Sequence, residues 1–296
     1  MNKFLLALFC LISTALSASP KYYLSVCAIF RNEDRFLKEW IEYHRMIGVE
    51  HFYLFNHLSD DDYLDVLSPY IKEGIVDLVN WPFHPTSEDD WIENIQCGAY
   101  RKVLKESGDQ NFWIAFIDTD EFIVLTEEDS LPNYLSQFEG FGGLVINWLI
   151  FGTSNVKRIP ENRTLIETLT LRAPLEINWN VYVKSIVQPK AVASIQRIHQ
   201  PIYKKSFYSV NERKERCEPA EENYNIGIAA IRINHYTQRD EDFFYNVKMI
   251  LRRGNNRTCP PIQPNPEYNK VEDLTISRFV PELEKRLFSK AGILKP

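Results

Sequence analysis

From residue 22 onward the chain alternates between two rhythms of apolar and polar positions. Tyr23–Phe30 is mostly apolar and of strand length, and Glu33–Ile47 then carries Leu37, Trp40, Ile41, His44 and Ile47 at helical spacing. His51–Asn56 reads as a second strand, and Tyr63, Leu64, Leu67 and Tyr70 mark a second helix. Ile75–Val79 follows Gly74 as a third strand. Ile92, Ile95, Ala99 and Val103 mark a third helix, and Trp113–Ile117 a fourth strand. Strands that alternate with helices predict a parallel sheet covered on both faces. The second half is less regular. Gly143–Leu149, Val181–Val187 and Ile228–Ile233 read as strands, and a helix from Asp240 to Arg253 groups Phe243, Phe244, Val247 and Ile250 on one face. The polar stretches 153–170 and 204–226 are expected to be loops or lids.

Ligands of such sheets bind beyond the carboxyl ends of the strands, so those residues carry the candidate chemistry. They are Arg31-Asn32-Glu33, Asn56 with Asp60-Asp61-Asp62, and Asp118-Thr119-Asp120-Glu121. Two carboxylates at alternate positions beyond a buried strand can hold one hard cation, Mg²⁺ or Mn²⁺, together with ligand phosphates. An isolated Asp-x-Asp serves equally as a solvated turn or a helix cap. Its place after an apolar strand is what distinguishes this one.

Composition narrows the classes. At 296 residues, 45% hydrophobic and 25% charged, with 18 Phe, 15 Tyr and 6 Trp, the chain is globular rather than disordered. A net charge of −6 speaks against nucleic-acid binding, yet leaves room for a local site for one phosphorylated ligand. Met1–Ser17 combines Lys3, a short apolar run and small residues at Ala15 and Ser17, the pattern of a cleaved signal peptide. An uncleaved membrane anchor is the alternative. Either reading sends the chain into the secretory lumen or out of the cell. Cys10 lies in that segment, Cys27 and Cys97 are expected as buried thiols, and Cys217 with Cys259 is the favoured disulfide. Asn162-Arg163-Thr164 and Asn256-Arg257-Thr258 are glycosylation sequons.

An ordered set of segments resembles glycosyltransferase family 92, which is close to bacterial glycosyltransferase family 2-like proteins and has the GT-A fold. The segments are Cys27–Glu33, Trp40–His44, Gly48–Leu54, Ala115–Phe122, Trp148 with Phe151-Gly152, Lys184–Val187 with Pro189, and Asn234–Tyr236 followed by Phe243 and Lys248. The resemblance as a whole runs from about Tyr23 to Asn255. There is one departure. Members of the family often carry Asp-Asn after the second strand, whereas this chain has Phe55-Asn56-His57.

The resemblance implies an α/β single domain over 22–296, with a Rossmann-like, mostly parallel sheet and helices on both faces. It implies a sugar, a hexose such as galactose, moved from a nucleotide-sugar donor (a UDP-sugar in the leading case) to a glycan or other hydroxyl. By position, Asp118, Asp120 and His235 match the metal site for Mn²⁺ or Mg²⁺, the Asp-x-Asp motif included. Arg31, Asn32, Glu33, Asn56 and Lys184 are the implied donor contacts, and Trp148 the acceptor-side aromatic. Inversion at the anomeric carbon, also implied, needs a general base. That base is expected from the second half, where Glu161, Glu167 and Glu176 are candidates and Glu167 is preferred. The competing classes are a secreted carbohydrate-binding protein that has lost turnover, and a metal-dependent hydrolase using the same aspartates.

Overall fold

The computed structural model describes residues 19–220, 222–254 and 263–288. The signal segment, Cys10, Cys259 and the second sequon fall outside the described residues, and with them the Cys217–Cys259 pairing.

Strand β1 (Tyr22–Phe30) runs parallel to β2 (His51–Asn56), which runs parallel to β3 (Val76–Asn80) at one edge. On its other side β1 pairs in parallel with β4 (Asn111–Phe116). Successive side chains of a strand point to opposite faces. Val26, Ala28 and Phe30 accordingly enter one apolar cluster with Leu37, Trp40 and Ile41 of helix α1 (Asp34–Met46). Cys27 and Ile29 enter the other, with Tyr100 and Val103 of the Cys97–Ser107 helix. Helices therefore cover both faces, which is why β1 is apolar apart from Ser25, whose hydroxyl is bonded to Asn111. Burial alone raises the Cys27 thiol well above its ordinary range.

Beyond β4 the sheet changes character. The strand Val183–Val187 lies antiparallel between β4 and β6 (Gly143–Ile150). Strand β5 (Glu121–Leu125) follows the Asp118–Asp120 turn and leaves the parallel half altogether. It pairs antiparallel with Ile231–His235, which also runs parallel to β6. That register sets His235 opposite Glu121. Helix α1 locks β5 in place: the Trp40 indole donates to the Glu121 carbonyl at 2.8 Å and the Tyr43 hydroxyl to that of Ile123 at 2.9 Å. The turn after α1 needs Gly48, whose φ is +108° and where a Cβ would come within 2.5 Å of Pro132 Cδ.

The predicted strands and helices of the first half occur within about two residues of the expected bounds, an ordinary margin. Strand β5 and the helix Leu131–Ser136 were not expected, and three further features differ. The 204–226 stretch contains short strands, Ser209–Val210 and Arg216–Cys217, that extend the sheet beyond β6. The 153–170 stretch is fastened rather than lid-like. The Ile159 amide donates to Asp240, and the Leu165 and Ile166 amides donate to Glu39. The helix after Asp240 contains a π-type turn, Phe244–Lys248, so Met249 is buried and Ile250 is exposed. One extra residue per turn moves the apolar face by one position. Among the described residues no helix is long and apolar enough to cross a membrane.

Candidate active site

A cavity of about 640 Å³ opens at the carboxyl ends of β1, β4 and Ile231–His235. Its lining includes Arg31, Glu33, Asp118, Asp120, Trp148 and His235, drawn from both halves of the chain. Those six residue positions were expected at the site, and the fold brings them together.

Asp118 is held from two sides. Gln96 Nε2 donates to Oδ1 at 2.7 Å, and Lys184 Nζ to Oδ2 at 2.8 Å. Its own amide donates to Glu121 Oε2 at 2.8 Å. Lys184 lies 3.7 Å from Glu121 Oε2 and its side chain is 1% exposed. Burial would lower the Lys184 ammonium, but Asp118 and Glu121 outweigh it and hold the group above its ordinary range. Lys184 thus lies beneath the cavity, not along its wall. It steadies Asp118 instead of presenting its charge to a donor.

Asp120 projects on the other side of the turn. Lys248 Nζ donates to Oδ2 at 2.7 Å, and His235 Nε2 lies 3.3 Å from Oδ1. Burial works to raise the Asp120 carboxyl, yet Lys248 and His235 together keep it well below the usual carboxylate range. Lys248 also donates to the Thr237 carbonyl, which ties the π-type turn to this site. His235 Nδ1 faces Glu121 Oε1 at 3.9 Å, and neither buried atom has a hydrogen-bond partner. A hydrogen bond from the far nitrogen of a histidine to a carboxylate fixes its ring and leaves the near nitrogen for a ligand, and at 3.9 Å Glu121 stands near that place without making the bond. Burial, reinforced by Asp118 and Asp120, raises the Glu121 carboxyl well above its normal range despite Lys184.

Glu33 begins at the end of β1 and pairs with buried Arg239 at 2.6 Å. Burial pushes its carboxyl up to about 7, against the pull of Arg239. Arg239 also donates to the Thr119 carbonyl at 2.8 Å, so one guanidinium joins the first loop to the middle of the Asp118–Asp120 turn.

Other expected site residues lie elsewhere. Asn32 exchanges hydrogen bonds with Asp60, donating to its carboxylate at 2.5 Å and accepting its amide at 2.9 Å. Asn56 is taken up by Tyr63, Asn80 and the Ser59 amide. Both asparagines shape the loops after β1 and β2 and do not line the cavity. Glu167 sits on the short helix Leu165–Thr168, pairs with Arg163, and is also outside the lining. Glu161 and Glu176 are exposed and outside it as well. No carboxylate from the second half lines the cavity among the described residues, because that half contributes aromatic, histidine and lysine side chains there. The wall residues that pattern reading missed are Gln96, Glu88, Trp179, Tyr182, His199 and Lys248. Only Lys248 carried a signal, as part of a quoted segment.

The profile of Glycosyltransferase family 92 matches residues 21–263. A family 92 protein of Ricinus communis is 29% identical over 206 residues, 67% of this chain and 35% of the relative. One from Oryza sativa subsp. japonica is 31% identical over 221 residues, 72% of this chain and 33% of the relative. The chain thus spans about a third of the length of the curated relatives it matches. Among solved structures, S. aureus TarS 1-349 is similar with a TM-score of 0.42 at 13% identity, covering 91% of this chain and 72% of that one. Glucosyl-3-phosphoglycerate synthase from Mycobacterium tuberculosis, in complex with phosphoglyceric acid, has a TM-score of 0.32 at 15% identity, covering 58% of each chain. At such scores no residue is carried across. The family profile, extending over most of the sequence, is the finding that decides: the chain belongs to glycosyltransferase family 92.

Proposed function

We propose that this chain is a metal-assisted glycosyltransferase that moves a hexose, galactose in the leading case, from a UDP-sugar to a glycan hydroxyl with inversion. The observation that carries this reading is the meeting of Asp118, Asp120 and His235 at the strand ends of a family 92 chain, around a cavity with Arg31 and Lys248 in its wall. Among the described residues no three acidic, histidine or cysteine side chains group tightly enough to hold a metal by themselves. Asp120 Oδ1 and His235 Nε2, 3.3 Å apart, nonetheless offer one oxygen and one nitrogen, with the unpartnered Glu121 Oε1 behind the imidazole. That set fits Mg²⁺ or Mn²⁺ of the kind that takes few protein ligands and completes its shell with water and diphosphate oxygens. When bound, the ion would offset negative charge on the diphosphate.

The chain's own residues would do the rest. Arg31 and Lys248 supply cationic donors to the diphosphate. The acceptor oxygen bonds to the anomeric carbon as the bond from that carbon to the diphosphate breaks. The electron pair leaves with the nucleoside diphosphate, and the hydroxyl proton passes to a carboxylate. Glu33 and Glu88 are the wall carboxylates outside the Asp118–Asp120 turn, and they replace Glu167 as candidates for that role.

The test is a screen of nucleotide sugars with Mn²⁺, reading nucleoside diphosphate release. Asp120→Ala is expected to lose at least about 100-fold of the activity, the order of effect of removing one electrostatic stabiliser. Full activity in that variant would remove Asp120 from the mechanism. No release from any donor by the wild type would favour the carbohydrate-binding alternative.

A further inference from the structure

One wall of the cavity is a stack of aromatic rings that leads from the metal-side histidine to solvent. Trp148 meets His235 edge-on, with ring centres 4.4 Å apart. Tyr182 stacks on Trp148 at 5.5 Å and 28°, and Trp179 stacks on Tyr182 at 5.5 Å and 25°. Exposure rises along the stack, from 7% at Trp148 to 50% at Trp179. All three rings line the same cavity as Asp118 and Asp120.

Single exposed aromatic residues are ordinary on protein surfaces. This one differs because its backbone is anchored on a rigid element. Trp179 belongs to the short helical turn Asn178–Val181, and the neighbouring Asn180 is fully buried. Asn180 Oδ1 accepts the Ile150 amide at 3.0 Å, and its Nδ2 donates to the Pro174 carbonyl at 2.9 Å. The Trp148 amide donates to the Tyr182 carbonyl at 3.0 Å, which clamps the turn to β6. His199 supports the inner rings, at 5.3 Å from Trp148 and 5.4 Å from Tyr182. Its Nδ1 lies 2.7 Å from the Val183 carbonyl. The backbone that carries the outer ring is therefore fixed before any ligand arrives, and the ring itself rests on Tyr182, which lowers the ordering cost of binding.

We propose that Trp179 and Tyr182 form the subsite for the saccharide acceptor. A pyranose has a ring face of C–H groups and an edge of hydroxyls, so it suits a flat aromatic surface flanked by polar groups. The inner end of the stack sets one sugar beside His235, where transfer would occur, and the outer end carries the next sugar of an oligosaccharide. The inference rests on the transferase reading above and adds the place and the ligand class of its acceptor.

The experiment measures binding directly, by saturation-transfer NMR of the full chain with a panel of di- to tetrasaccharides of glucose, galactose and mannose. Binding of UDP with Mn²⁺ is measured in parallel by calorimetry. At least one saccharide is expected to bind the wild type. Trp179→Ala should weaken that binding about tenfold or more, and Trp179→Tyr should restore most of it. UDP affinity should stay at the wild-type value in both variants. Equal saccharide affinity in Trp179→Ala, or no saccharide binding by the wild type, overturns the subsite. Failure of UDP to bind the wild type would instead strike the donor reading, so the two failures are told apart.

Discussion

Lys184 is the residue on which the site's internal charge balance turns. Its ammonium is buried between Asp118 and Glu121, while Asp118 stays 31% exposed at the cavity. Removing one partner of a buried ion pair leaves the other charge uncompensated, at a cost of about 3–5 kcal/mol. The exposed Asp118 relaxes part of that, so Lys184→Met is expected near the lower end, about 3 kcal/mol, read by chemical denaturation. Unchanged stability would show that Glu121 is carried as a neutral acid with no need of the lysine. Sequence reading found Lys184 but not its task, because its partner Asp118 lies 66 positions away. His235, in contrast, was expected there only through the family resemblance, because a histidine ending an apolar strand is by itself more often structural. The weakest expectation was Glu167: spacing cannot tell which polar side chain of a short helix turns toward a cavity.

At the scale of elements, the parallel half was legible because its strands are buried on both faces and its helices carry regular apolar stripes. Two helical segments were legible only in part, and both contain π-type turns, Trp91–Gln96 and Phe244–Lys248. A search at 3.6 residues per turn passes over them, yet they deliver Gln96 to Asp118 and Lys248 to Asp120. The 153–170 segment depends on α1 through Glu39, whose carboxylate accepts the amides of Leu165 at 2.7 Å and Ile166 at 3.1 Å. Burial pushes the Glu39 carboxyl up to about 7 from 4.5, more than those two amides lower it. A raised carboxyl binds its proton more tightly folded than unfolded, so stability is greater below the unfolded value and falls as pH rises toward about 7. Glu39→Gln should make the slope of unfolding free energy between pH 5 and 6.5 less negative, by up to about 1.4 kcal/mol per pH unit. Denaturant titrations at several pH values would reveal this, and parallel curves for the two proteins would remove Glu39 as the cause.

For the whole molecule, the question is how a chain of net charge −6 would bind the diphosphate of the proposed donor. Glu33, Asp118 and Asp120 line the cavity and Glu121 lies behind it, while Lys184, Lys248 and Arg239 are each already paired with one or more of those acids. With Lys248 shared with Asp120, the cations of the wall offset only part of a diphosphate's charge, so a divalent cation and UDP should each need the other. Coupling of this kind is reciprocal: Mn²⁺ should tighten UDP by the same factor by which UDP tightens Mn²⁺. A factor of about 5–150 is the usual range of such coupling. Both ligands would also bridge the two halves, since Asp120 follows β4 whereas His235 and Lys248 come from the last third of the chain. A Mn²⁺–UDP pair acting as one ligand at about 100 times its dissociation constant should stabilise the fold by about 2.7 kcal/mol. Thermal unfolding should then shift by roughly 5 °C or more with both present, and much less with either alone. Chelation with EDTA should return the midpoint to its starting value. UDP that binds equally well with and without EDTA would mean that Arg31 and Lys248 suffice for the diphosphate, and the metal would drop out of the donor site.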